Sequence, residues 1–168
     1  MRILIAVASR HGGTRGIAEA IGQELRTAGH SVTVEHAGGA QDIKGYDAAV
    51  VGSAVYMGAW LPAARQFVER NAAALSAMPV WLFSSGPLGD DPQPTAPLAH
   101  LDTLLQETGA REHRMFVGKL DMGEIGFGER VIARAVKAPE GDFRDWAAIR
   151  AWADQIAAAL ATPAVPAG

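Results

Sequence analysis

The feature that most constrains the fold is an apolar run that leads through a glycine-rich turn into a helical pattern. Residues 3–7 are all apolar without alternation, which is typical of a strand buried on both faces of a parallel sheet. Residues 14–28 carry apolar side chains at the spacing of one helix face. Unpaired N–H groups and the dipole of such a helix point into the preceding turn and favour an anion. The sequence therefore predicts a phosphate site at Ser9, Arg10, His11, Gly12, Gly13 and Thr14.

The alternation of apolar runs and amphipathic segments continues along the chain. Beyond the first strand and helix, we expect strands at 31–36, 46–53, 79–83 and 112–120 and helices at 61–77, 98–109 and 143–160. Such alternation requires a parallel sheet that is covered on both faces. We predict an α/β fold with a single-domain, doubly wound, five-stranded parallel sheet in the order 2-1-3-4-5. The domain spans residues 1–161, and residues 162–168 form a C-terminal tail.

One segment departs from this alternation. Residues 121–142 lie between the last predicted strand and the closing helix, and they form an extra segment with a short helix at 129–137. One face of this helix carries Val131, Ile132, Ala135 and Val136, and the other carries Arg130, Arg134 and Lys137. Two interpretations stay open. The helix is a surface element docked on the fold, or it is a basic amphipathic contact with a membrane surface or a partner.

Composition excludes several classes of function. The chain has no cysteine, which removes disulfides, thiolate metal sites and a cysteine nucleophile. A net charge of −3 gives no support for nucleic-acid binding. The histidines show no metal-ligand spacing, so we predict no metal site. The chain begins directly in a predicted strand and has no long apolar span, so we expect a cytoplasmic protein.

Two further loops follow strands of the predicted sheet, at the edge where ligands of doubly wound folds bind. The loop at 54–60 has aromatic and sulfur-containing side chains that can pack on both sides of a planar ring. The loop at 84–89 has hydroxyls and glycine N–H groups that can bond the ring edge. With the phosphate loop, they predict a phosphorylated flat heterocycle as ligand and no catalytic side chain. The candidate residues here are Ser53, Ala54, Val55, Tyr56, Met57, Gly58, Trp60, Ser84, Ser85, Gly86 and Gly89.

These three loops carry a resemblance to a known family. Ser9-x-x-Gly12-x-Thr14 after the first strand resembles the phosphate loop of flavodoxins, which bind FMN, and the other two loops resemble that family's flavin-flanking loops. The stretch Val51–Gly58, with Met78-Pro79 and the extra segment, is similar to the flavodoxin-like menaquinone-dependent protoporphyrinogen dehydrogenases. The resemblance implies an FMN-binding electron carrier or quinone-linked dehydrogenase. Its partner would be a redox protein, a quinone or a small-molecule substrate.

Two other functions stay open on the residues themselves. His11-x-Gly13-x-x-Gly16 is two thirds of the dinucleotide fingerprint, and Glu35 lies about twenty residues further on, where a ribose contact is expected. An NAD(P)-binding oxidoreductase domain is therefore an alternative, although the first glycine is missing. A non-catalytic binding module with the same pocket is the other alternative. The sequence also leaves open whether Arg10 and Arg15 face the ligand or the solvent.

Overall fold

The computed structural model describes residues 1–40, 42–86, 98–135 and 140–162. Within these ranges the strands are β1 (Arg2–Ala8), β2 (Ser31–His36), β3 (Ala48–Tyr56), β4 (Ala59–Trp60), β5 (Val80–Ser85), β6 (Glu112–Phe116), β7 (Lys119–Leu120) and β8 (Gly141–Asp142). The helices are α1 (Gly13–Thr27), α2 (Pro62–Ser76), α3 (Leu101–Thr108), α4 (Phe127–Ala135) and α5 (Trp146–Ala161). Gly89 and the tail residues 163–168 lie outside the described residues.

The main sheet has the predicted topology. Its strand order is β2-β1-β3-β5-β6, with every neighbouring pair parallel. Counting only these five long strands, this is the order 2-1-3-4-5. β1 lies inside the sheet, where Ile5 pairs with Val34 on one side and Val50 on the other. That position explains why its apolar run is continuous, since both faces of the strand are covered.

A separate apolar core covers each face of the sheet. On one face, α1 and α5 pack through Ile17 and Trp152 against the Phe83 side of β5. On the other face, α2 packs through Phe67 against Leu82. The rings of Phe83, Phe116 and Trp152 form edge contacts with centroid distances of 5.5–6.2 Å. These cores fix the carboxyl ends of the strands, where the candidate loops begin.

The segment predicted as a loop at 54–60 is instead the tip of a β-hairpin. β3 continues to Tyr56 and pairs antiparallel with β4, with Tyr56 opposite Ala59. The two turn residues, Met57 and Gly58, have φ values of 50° and 76°. Positive φ at both positions defines the type I′ turn, whose twist matches that of the flanking strands. The prediction that the strand ends at Ser53 was therefore wrong by three residues.

The last predicted strand is shorter than expected. β6 ends at Phe116, and the following Lys119–Leu120 pairs antiparallel with Gly141–Asp142 in a second, two-stranded sheet. The extra segment thus leaves the main sheet before residue 121. Its two ends are tied to each other by β7 and β8.

The short helix of the extra segment is present, and its apolar face is not docked on the fold. α4 spans Phe127–Ala135, and residues 136–139 lie outside the described part of the chain. Val131 and Ile132 are 51% and 63% exposed, whereas Ala133 is buried. The side of α4 that faces the fold instead carries Ala133 and Glu129, whose contacts are described below. Among the described residues, no helix has both the length and the apolar character to cross a membrane.

Candidate functional site

A cavity of about 560 Å³ lies at the carboxyl ends of the main strands. This volume is within the range of small-molecule sites in proteins. The predicted residues that line it are Ser9, Arg10, His11, Gly13, Thr14, Ala54, Val55, Tyr56, Met57, Gly58, Ser85 and Gly86. All three predicted loops therefore reach one cavity, as the common polarity of parallel strands requires. Gly12, Ser53, Trp60 and Ser84 are not on its lining.

The first loop has unpaired donors for an anion. Gly12 is the N-cap of α1 with φ 77°, and no side chain caps the helix. The first helical hydrogen bond runs from the Gly16 N–H to the Gly12 carbonyl at 2.9 Å, so the N–H groups before it have no partner inside the helix. The Ser9 hydroxyl is buried without a hydrogen-bond partner. A buried unpaired hydroxyl is costly unless a ligand bonds to it, so this loop fits a phosphate.

The hairpin tip and the third loop form the middle of the cavity. Tyr56 and Met57 are 40% and 98% exposed at the hairpin tip. In the third loop, the Gly86 N–H donates to the Phe116 carbonyl at 3.0 Å. A Cβ at Gly86 would lie 3.1 Å from the Val55 Cβ, so glycine permits the close approach of this loop to the hairpin. A planar ring could pack here between side chains and backbone.

Three of the predicted ligand residues do not line the cavity and instead make hydrogen bonds within the fold next to it. They are Ser53, Trp60 and Ser84. Trp60 is 2% exposed because the hairpin returns the chain into the core, and its Nε1 donates to the Ser84 Oγ at 2.7 Å. The same Oγ lies 2.7 Å from the His113 Nε2. Burial lowers the pKa of His113. Ser53 accepts a hydrogen bond from the Leu61 N–H at 3.0 Å. The predicted contact of Trp60 with a ring is therefore not supported by its placement.

The second wall of the cavity comes from residues that sequence reasoning missed. These are Met115, Gly118, Lys119, Leu120, Ile125, Glu129, Ile132 and Ala133. The order of the elements along the chain was the one signal that could have indicated this wall. The extra segment follows the last main strand, so it begins at the same sheet edge as the three loops.

Glu129 is the electrostatic centre of this wall. Its Oε1 accepts from the Arg10 Nη1 at 2.7 Å and from the Tyr56 hydroxyl at 2.9 Å. Its Oε2 accepts from the Gly126 N–H at 3.1 Å and lies 3.2 Å from the His11 Nε2. The Gly126 N–H and then the Tyr56 hydroxyl lower the pKa of Glu129 to about 2. The carboxylate is therefore ionised at neutral pH.

The two arginines of the first loop have different environments. Arg10 lines the cavity, and its guanidinium lies 4.7 Å from the centre of the Tyr56 ring. Arg15 is not on the lining and pairs with Glu19 on the surface of α1 at 3.2 Å. Arg10 is thus the loop arginine available to the site. Within the described ranges, no group of three or more acidic or histidine side chains is placed to hold a metal ion.

Comparison with known proteins gives the class of this fold and site. The sequence model of the flavodoxin domain matches residues 4–146, and the chain belongs to that family. Proteins of this family bind FMN. No curated protein sequence matches the chain.

Solved flavodoxins share the fold. Oxidised flavodoxin 2 from Bacillus cereus is 23% identical with a TM-score of 0.60, and the match covers 96% of this chain and 98% of that one. The flavodoxin of Streptococcus pneumoniae is 17% identical with a TM-score of 0.62 and coverages of 95% and 99%. A flavodoxin from the domain Archaea is 21% identical with a TM-score of 0.57 and coverages of 82% and 99%.

Proposed function

We propose that this protein binds FMN in the cavity at the carboxyl ends of the strands and acts as an electron-transfer protein. The observation that carries the proposal is the buried Ser9 hydroxyl, which has no partner beside the uncapped start of α1. Ser9 lines a cavity whose other residues include Tyr56, Met57 and Gly86. A phosphate donor set next to a site for a flat ring matches the two halves of FMN.

Different residues of the chain would contact the phosphate and the ring of the cofactor. Ser9, Thr14 and the first N–H groups of α1 would hold the phosphate. Tyr56 and Met57 would flank the ring, and Ser85 and Gly86 would lie at its edge, where the Gly86 N–H is already bonded to the Phe116 carbonyl. The bound isoalloxazine supplies the redox chemistry. The protein orients it and controls its contact with water and partners.

The direct test is a titration of the purified protein with FMN, followed by flavin fluorescence and the visible spectrum. We expect binding at or below micromolar concentration and about tenfold weaker binding by Ser9→Ala, the loss of one charge-assisted hydrogen bond. Ser31→Ala, at an exposed position at the start of β2, is the matched control and should bind like the wild type. Absence of FMN binding would overturn the proposal, and tight NAD(P) binding without flavin would support the dinucleotide alternative.

A quinone-linked dehydrogenase is the second candidate, and the exposed apolar side chains near the cavity are the observation that favours it. Met57 and Phe127 are 98% and 83% exposed, and Val131 and Ile132 are also largely exposed. Apolar side chains in such positions suit an apolar acceptor or a membrane surface. Reduced protein should then transfer electrons to menaquinone in anionic vesicles faster than to a soluble quinone. A porphyrinogen oxidation assay would test the finer dehydrogenase assignment.

A further inference from the structure

The Glu129 carboxylate joins three parts of the cavity in a single contact. It belongs to α4, its Arg10 and His11 partners lie in the phosphate loop, and its Tyr56 partner lies on the hairpin. These partners are up to 119 residues away in the chain. We propose that Glu129 is a latch that holds residues 121–135 closed as a lid over the cavity and thereby sets the rate of cofactor exchange. The inference rests on the proposed FMN site.

The lid has few packing contacts with the rest of the protein, so the Glu129 contact is an important part of its attachment. Within the described residues, no other helix or strand packs closely along α4. The apolar anchors of the lid are Ile125 and Ala133, which are 6% and 9% exposed. Phe127 and Val131 stay in solvent instead of joining the core, and Ile132 lines the cavity but is 63% exposed. Segments with few buried apolar contacts open at low cost, so a polar contact can control the opening.

The latch is built from groups of the chain itself. The carboxylate is ionised at neutral pH, and its oxygens are bonded to four groups of the chain itself. Gly126 is part of the lid, so its N–H fixes the carboxylate to the helix start. The other three partners lie across the cavity on the sheet side. Release of these cross-cavity contacts frees the lid while α4 keeps its own helical hydrogen bonds.

A simpler role for Glu129 makes a different kinetic prediction. If its charge acted only by repelling the cofactor phosphate, removing the charge would speed association and slow dissociation. If Glu129 is a latch, removing the charge eases opening in both directions, and both rates rise. The two roles are therefore separated by the dissociation rate.

The test uses Glu129→Gln, with Glu19→Gln as the matched control. Glu19 also pairs with an arginine at 3.2 Å, but on the outer surface of α1. Stopped-flow flavin fluorescence gives the association and dissociation rates. Amide hydrogen exchange of the protein without flavin gives the opening of residues 121–135. We expect Glu129→Gln to raise both rates by up to about fivefold, a loss of up to about 1 kcal/mol, and to speed exchange in the lid but not in α2.

The outcomes separate the latch from the proposed function. Faster exchange in the lid together with both faster rates supports the latch. Unchanged exchange in the lid, or a slower dissociation rate, overturns it even if FMN binds tightly. If the wild type binds no FMN, the proposed function fails, and hydrogen exchange alone still decides whether Glu129 holds the lid. Glu19→Gln should match the wild type in all three measurements.

Discussion

The two walls of the cavity are built from different interactions. The sheet wall consists of the loops after β1, β3 and β5, and it is supported by the buried core that contains Phe83 and Trp152. The lid wall, residues 121–135, rests on Ile125, Ala133 and the contacts of Glu129. The difference separates two tasks. The sheet wall fixes where a ligand lies, and the lid wall controls whether the ligand can leave.

The physical basis of the difference is the free energy of each kind of contact. A fully buried aromatic or branched side chain contributes about 1.5–3 kcal/mol by its removal from water. An ion pair near the surface contributes about 0–1 kcal/mol, since water competes for both partners. The guanidinium side of the Glu129 contact is half exposed, with Arg10 at 51%. The lid is therefore expected to open many times for each unfolding of the sheet.

Truncation of a buried aromatic should show the largest contrast between the walls. Trp152 is 1% exposed, and its ring packs against Phe83 and Phe116. We expect Trp152→Ala to lower the free energy of unfolding by about 3–5 kcal/mol, because a large cavity replaces the indole. Urea denaturation followed by circular dichroism measures the loss.

The matched truncation in the lid is Phe127→Ala. Phe127 is 83% exposed, so we expect the free energy of unfolding to change by no more than about 0.5 kcal/mol. A similar loss in both variants would mean that the lid is part of the cooperative core and would contradict the comparison.

Replacing a glycine with alanine in each wall gives the second contrast in stability. A Cβ at Gly52 on β3 would overlap the ring of Phe83, whereas a Cβ at Gly128 on α4 meets nothing within 4 Å. We expect Gly52→Ala to destabilise the fold by about 1–3 kcal/mol through overpacking. Gly128→Ala should stabilise α4 by up to about 1 kcal/mol, since alanine is the better helix former.

The two glycine variants need different measurements. Urea denaturation reports the global effect of Gly52→Ala, and hydrogen exchange reports the local effect of Gly128→Ala. Slower exchange in α4 with an unchanged urea midpoint is the expected result. A shift of the global midpoint by Gly128→Ala would show that lid and sheet unfold together.

The sheet wall could be predicted because the sequence patterns that indicate it are local. The continuous apolar run at Ile3–Val7 indicates an inner strand, and the glycine turn before the Ile17 face indicates a strand-to-helix junction. Strand polarity then places the three loops together. The topology of the main sheet followed from this alternation and is confirmed.

The lid wall could not be predicted because its decisive contacts are distant in sequence. Glu129 bonds to Tyr56 across 73 residues and to Arg10 across 119 residues. Amphipathic periodicity left open whether this helix docks on the fold or contacts a membrane or partner, and it gave no sign that Glu129 faces the cavity. The hairpin that turns Trp60 into the core was not predicted, since Met57-Gly58 is a weak sequence signal for a hairpin turn.

The hairpin tip offers a smaller test on the sheet wall. Met57 has φ 50° although it is not glycine, and its side chain is 98% exposed. Met57→Asn replaces it with the residue preferred in type I′ turns. We expect a gain of about 1 kcal/mol in the free energy of unfolding, because strain is relieved without loss of packing. Thermal unfolding of the flavin-free protein measures it, and an equal or lower midpoint would show that Met57 stabilises the fold.

Acid should affect the two walls in different pH ranges, and this is the smallest effect we expect. Burial lowers the pKa of His113, which lies on β6 beside Ser84. The folded chain then binds fewer protons at this site than the unfolded chain. The stability it contributes is therefore complete above the usual histidine pKa of about 6.5 and is lost as the pH falls.

The measurement is the urea midpoint at about pH 7.5 and about pH 5.5, on either side of the usual histidine pKa. His113→Gln cannot be protonated in this range and keeps an amide that can bond the Ser84 hydroxyl. We expect the wild type to lose more stability than His113→Gln between the two values. Equal losses of stability in the two proteins would show that His113 is not the cause of the acid sensitivity.

The Glu129 contacts should persist throughout, because that carboxyl, with a pKa of about 2, stays ionised. Acidification in this range therefore weakens the sheet wall while the latch on the lid wall remains charged.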